Sequence, residues 1–299
     1  MFERVFKAEG VVAMKRWIAV FLVVLLAGCS TLKLAYNHSP SWFSYQLDVY
    51  LDLDDAQESV LSTQLDALHA WHRYHALPFY AQTLREWSQQ VASGHRFSVE
   101  DVLKGQQQIE QELLRIGSQI AAEITPVVQG LTPRQIEHLK AKLEKSNREY
   151  QNKYLSASMT EARRKKERLE ELEERYENWL GKLTKAQKAR LSSVVDRQLF
   201  GPMLWSQERQ ARQRAMLSLI AESRSMSAEQ IQRAWKSYFD SLSTYRVPEL
   251  ESRRPVIRSA WAEVTADMLN MMTEQQREFL QRKLLGYAND FQVLLGQSQ

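Results

Sequence analysis

Leu131-Thr132-Pro133-Arg134-Gln135 is written like the first turn of a helix, and its plan recurs along the chain. The Thr132 hydroxyl can accept a hydrogen bond from a free amide of that turn. Gln135 can reach back to the amide of Thr132, and Pro133 occupies the first helical position, where no amide is needed. Leu53-Asp54-Asp55-Ala56-Gln57, Leu183-Thr184-Lys185-Ala186-Gln187, Met226-Ser227-Ala228-Glu229-Gln230 and Met272-Thr273-Glu274-Gln275-Gln276 share the form: apolar, then Asp, Thr or Ser, then Gln three residues on. Leu131 with Ile136, and Met226 with Ile231, are spaced as hydrophobic staples. Capping boxes spread over the whole chain predict a protein built of helices.

Breakers agree with these starts. Pro78, Gly94, Gly130, Gly181, Gly201-Pro202, Pro248 and Pro255 divide the chain into helices over about 41–51, 54–76, 78–93, 98–124, 133–156, 160–181, 184–198, 203–223, 227–245, 249–271 and 273–294. Ten Gly and seven Pro in 299 residues leave few turns, which suits long helices. Leu47-Asp48-Val49-Tyr50-Leu51 alternates as a strand would, but no partner strand pattern follows, so it is read as helical. The expected fold is all-α, a bundle of roughly ten amphipathic helices without a sheet over residues 41–294, with a candidate division into two subdomains near residue 131.

Ahead of the helices, Lys15 and Arg16 precede an apolar run from Trp17 to Leu26, closed by Leu26-Ala27-Gly28-Cys29. Ten apolar residues are too few for a spanning helix, which takes about 20, and fit a secretory signal. The four closing residues resemble the lipobox of bacterial lipoproteins. The resemblance implies cleavage before Cys29, a diacylglyceryl group on its thiol and an acyl chain such as palmitate on its amine. Stable anchoring takes at least two chains, each buried CH₂ contributing about 0.8 kcal/mol. By the sorting rules of Gram-negative bacteria, Ser30 after the cysteine points to the outer membrane. Residues 1–28 are thus read as a signal peptide, with Met14 an alternative start, and 29–40 as a lipidated tether.

Removing residues 1–28 takes away Arg4, Lys7, Lys15 and Arg16 with Glu3 and Glu9, leaving 36 basic and 34 acidic residues. So even a balance gives no basic face for nucleic acid. Cys29 is the only cysteine. Once it is lipidated, neither a disulfide nor a thiolate metal site can form, and an exported chain must rely on its apolar core.

Two resemblances go further. Leu53-Asp54-Asp55-Ala56-Gln57, Trp71-His72-Arg73 with Leu77-Pro78-Phe79-Tyr80-Ala81, Trp179-Leu180-Gly181-Lys182-Leu183-Thr184 with Gln187, and Trp205 with Arg209 are similar to the DUF6279 family of uncharacterised proteobacterial lipoproteins. That implies an all-helical lipoprotein and no particular activity. The Thr/Ser/Asp-x-x-Gln boxes also resemble the LTxxQ motif of the Spy/CpxP periplasmic chaperones, small helical proteins that hold unfolded clients on a cradle. The overlap is a few residues per box, and four of the five boxes depart from the literal motif or its neighbours.

Candidate chemistry is sparse. His69, His72 and His75 lie at i, i+3 and i+6 with Asp66 a turn earlier, the arrangement closest to a metal site. At 100° per residue the third imidazole has rotated well away from the first, and one straight helix rarely closes a zinc tetrahedron. The set is read as a polar interface, with no metal and no cofactor. No nucleophile, P-loop or dinucleotide fingerprint is present. Arg163-Arg164-Lys165-Lys166, followed by Glu170-Glu171 and Glu173-Glu174, reads as a solvated helix laced by i,i+4 pairs. The tryptophans at helical spacing, Trp42 and Trp87 among them, read as core, with the lining of a groove for a peptide or lipid as the alternative. The function expected is non-enzymatic: a helical surface, held by its lipid on the periplasmic side of the outer membrane, that binds an envelope protein or polymer. The alternatives are a Spy-like holdase with a concave apolar face, and an envelope hydrolase or transferase whose pocket would bring Asp54, Asp55, His72 and Arg73 together.

Overall fold

A computed structural model describes residues 28–156, 158–196 and 201–297, and among them every regular element is helical. The expected signal peptide lies outside the described residues up to position 27. The helices are α1 Gly28–Asn37, α2 Ser39–Leu51, α3 Asp55–His75, α4 Leu77–Ala92, α5 Val99–Gln129, α6 Pro133–Tyr154, α7 Glu161–Leu180, α8 Lys185–Asp196, α9 Pro202–Ser223, α10 Ala228–Asp240, α11 Pro248–Asn270 and α12 Glu274–Gly296. No described helix is long and apolar enough to cross a membrane.

All five capping boxes form. Asp54, Thr132, Thr184, Ser227 and Thr273 each accept from the amide of the glutamine three residues on, and each glutamine accepts the cap's own amide. A sixth box opens α5, where Asp101 takes the place of glutamine opposite Ser98.

Three boundaries differ from expectation. Residues 29–40 are no free tether: α1 fills 28–37, and α2 begins at Ser39 with Pro40 in its first turn. Helix α5 runs on through Pro126, while α11 spans Pro255 close to its expected bounds. A proline inside a helix removes one i→i−4 bond. At Pro126 the turn is held instead by packing, with Val127 and Val128 buried and the Thr125 hydroxyl bonded to the Ala121 carbonyl at 2.9 Å. Helix α10 stops at Asp240 and tightens into a 3₁₀ turn, Ser241–Ser243.

Two apolar cores result. The first gathers Leu51, Ala121, Val128, Leu131, Leu139, Ile220, Ile231 and Trp235 from α2, α5, α6, α9 and α10 with the turn before α6. The second gathers Val91, Leu172, Leu180, Leu191, Val264, Met268, Leu280 and Leu284 from α4, α7, α8, α11 and α12. Each such side chain stabilises by about 1.5–3 kcal/mol when fully buried. A cut near residue 131 would pass through the first core, which draws on helices from both sides of it. Helix α5 crosses α10 closely at Gly117, where an added Cβ would stand 2.8 Å from Cβ of Phe239.

The boxes also pair across the chain, which their spacing did not reveal. Gln57 donates through Nε2 to Gln135 Oε1 and to the Gly130 carbonyl, while Gln135 donates to Gln57 Oε1 and to the Asp52 carbonyl. Gln187 and Gln276 repeat this, with the Met271 and Lys182 carbonyls as the second acceptors. In every case that carbonyl belongs to the residue two before the partner's cap. Each glutamine thus closes its own helix start and fastens it to another.

Candidate functional site

The polar residues expected to form a site lie on α3, and its pitch decides which of them meet. His69, His72 and Arg73 share a face, while His75 is turned about 120° from His69 at 100° per residue. His69 Nε2 pairs with the Tyr36 carbonyl at 3.1 Å. His72 lies between two phenols, with Nδ1 3.1 Å from the Tyr36 hydroxyl and Nε2 3.4 Å from that of Tyr80. Burial holds both imidazoles below their ordinary pKa, assisted by Arg73 at His69 and by His69 at His72, so they are neutral at neutral pH. The same burial pushes the Tyr36 and Tyr80 hydroxyls up to about 12.

Arg73 is buried and, among the described residues, pairs with no carboxylate. Its Nη1 donates to the Gln297 carbonyl at 3.1 Å and more weakly to that of Leu294 at 3.5 Å, and Nη2 donates to Asn37 Oδ1 at 2.8 Å. A guanidinium at these carbonyls caps the negative end of the α12 dipole. Asn37 donates onward to the Gln297 side chain, and Lys33 pairs with the buried Asp290 at 3.2 Å. The cluster is therefore a clasp binding α1 to α3 and to the end of α12, with Arg73 Nε left buried and without a hydrogen-bond partner among the described residues.

The other candidates are elsewhere. His75 stacks on Trp71, and its carbonyl accepts from Arg115, which also pairs with Glu112. Asp54 is consumed as the α3 cap and Asp55 is exposed beside it. They precede His72 by 17 and 18 residues of one helix, or about 25–27 Å at 1.5 Å per residue. A pocket uniting Asp54, Asp55, His72 and Arg73 is thus ruled out by geometry. Among the described residues no three His, Cys, Asp or Glu side chains converge to hold a metal ion. The charged α7 carries the pairs expected of it, Arg163 with Glu167, Lys165 with Glu161 and Lys166 with Glu170.

An open groove is lined by Trp87 and Trp179, two of the tryptophans read first as core. Trp87 and Val91 of α4, Phe97, Ile109 of α5, Tyr176 and Trp179 of α7 and Leu280 of α12 line an apolar cleft of about 400 Å³. Gln90, Asp101 and Gln106 are also on its wall. The early turns of α5 are tied to α11 by Arg258 and Glu110 at 3.0 Å, and α5 packs mainly on α3, α10 and α11. That leaves the cleft between α5 and the helices opposite. Gly105 keeps it clear: a Cβ there would already touch the Trp87 ring at 3.5 Å.

A family model described as "Family of unknown function (DUF6279)" matches residues 49–234, well over half of the chain. The chain belongs to this family. The DUF6279 match contains the Gln57–Gln135 pair, His69, His72, Arg73 and the groove residues of α4, α5 and α7, while α1, α12 and Gln276 lie beyond it. No curated protein and no solved structure matches the chain.

Proposed function

We propose that this DUF6279 protein is an outer-membrane lipoprotein, held through Cys29 on the periplasmic side, whose helical body binds an envelope protein or polymer and performs no chemistry on it. The lipobox-like Leu26-Ala27-Gly28-Cys29 supports the anchor. The observation that carries the binding role is the groove between α4, α5 and α7: aromatic, open, and without a cluster of titratable groups. Concave apolar sites with a few polar groups on the wall are the usual form of binding sites. The chemistry-bearing residues of α3 are by contrast engaged in the clasp. A Spy-like cradle for unfolded chains would call for a broader apolar face than a cleft of this volume.

The test is a photo-reactive residue at Gln106, activated in living cells. A discrete adduct is expected from the chain that carries Cys29. It should weaken when Cys29→Ser releases the protein from the membrane fraction, and disappear in Gly105→Leu, which fills the cleft. An adduct indifferent to Gly105→Leu would overturn the groove as the binding site, and a Cys29→Ser chain still sedimenting with the outer membrane would overturn the anchor.

A further inference from the structure

We propose that one face of the continuous α1–α2 path is a bilayer-contact surface, on which Leu34, Trp42 and Tyr45 sit in the headgroup region of the membrane that holds Cys29; this rests on the anchored reading above. These three side chains are 60%, 58% and 64% exposed, and Trp42 is the most exposed of the described tryptophans. The amide of His38 bonds the Leu34 carbonyl and the amide of Trp42 bonds that of His38, both at 3.1 Å, so the helical path continues across the junction between α1 and α2. At 100° per residue Leu34 and Tyr45 then fall on one stripe with Trp42 at its edge, while Phe43 lies half a turn from Leu34 with its ring edge-on to Trp42, centroids 5.0 Å apart. Leu47, Tyr50 and Leu51 face the other way, into the first core.

Three observations select a bilayer as the occupant. From Leu34 to Leu47 there is no Asp, Glu, Lys or Arg, although a quarter of the chain is charged. Uncharged sequence rich in Trp and Tyr is the composition of a membrane–water interface, where a ring's apolar body and polar tip are both satisfied. The surface also adjoins the proposed anchor: Trp42 follows Cys29 by thirteen residues of helix, at most about 20 Å along the axis. The nearby Lys33 is paired with Asp290, so the contact is apolar and not a counter-charge for anionic lipid.

The experiment uses the mature protein purified from bacterial membranes, with intact mass reporting the lipid on Cys29, and the full chain bearing Cys29→Ser. Both are mixed with phosphatidylcholine vesicles containing brominated lipid, and tryptophan emission is compared with that of Trp42→Phe. Trp42 is one of seven tryptophans after Cys29. A bromine-quenched component is expected that Trp42→Phe abolishes and that neither 0.5 M salt nor added phosphatidylglycerol changes. It should persist weakly in the Cys29→Ser chain at high lipid. A lipidated, vesicle-bound protein whose quenching is the same in Trp42→Phe would overturn the surface and leave the anchor standing. An unlipidated Cys29 with Trp42 still quenched would overturn the anchor and leave the surface. Self-association lost in Trp42→Phe, without quenching, would assign the face to a second copy and overturn the proposal.

Discussion

Gln57 and Gln135 face each other beside the first core much as Gln187 and Gln276 do beside the second, and each amide reaches the same pair of acceptors. Their surroundings differ. Gln135, Gln187 and Gln276 are all buried, whereas Gln57 is only half-buried and its neighbours Asp52 and Arg134 form an exposed ion pair at 2.5 Å. Water can reach a lost bond from the Gln57 side of the first pair and from neither side of the second. The same local code therefore fixes geometry in both places, while burial sets how much each pair contributes.

The largest effect is expected from Gln276→Leu. It strands the buried Gln187 amide, the Lys182 carbonyl and the Thr273 amide, at a cost of about 2–4 kcal/mol. Denaturant unfolding of Gln187→Leu, Gln276→Leu and the double variant should give a double-variant cost well below the sum of the singles, since removing both partners spares the stranded groups. Additive costs would mean that the two glutamines do not act as a pair. A smaller loss, about 1 kcal/mol, is expected for Gln57→Ala, where solvent reaches the vacated acceptors. A loss as large as that of Gln276→Leu would remove the distinction between the pairs.

The smallest effect separates both pairs from the clasp. Neither pair contains a titrating group, so their costs should not change with pH. Burial holds His69 and His72 below the ordinary value of 6.5, so the unfolded chain binds more protons as pH falls through that value. The stability tied to the neutral imidazoles is intact above about 6.5 and is lost as pH drops through their lowered folded values. The thermal midpoint should accordingly fall between pH 7 and pH 5, and fall less in His72→Gln, while Gln57→Ala keeps the wild-type slope.

How legible these features were in the sequence follows from the range of the forces involved. A capping box is complete within four residues, so all five were readable and all five form. The pairing of Gln57 with Gln135 spans 78 residues and that of Gln187 with Gln276 spans 89, and nothing local encodes it. His69, His72 and Arg73 stood out by spacing, but their partners Tyr36 and Asn37 fall in a stretch without apolar periodicity that reads as a tether. Trp42, Trp87 and Trp179 carry the helical spacing of core residues. Periodicity tells which face of a helix is apolar, not whether another helix arrives to cover it, so the sequence could not place the groove or the exposed face of α1 and α2.

The clasp has a mechanical consequence. Because Lys33 and Asn37 are bonded to Asp290, Arg73 and Gln297, tension entering the chain at the proposed anchor passes sideways into α12 before it can unwind α1. Helix α12 in turn makes its most extensive contact along α4. The body is thus loaded in shear across two long helices, the geometry in which many contacts must fail together and not one after another.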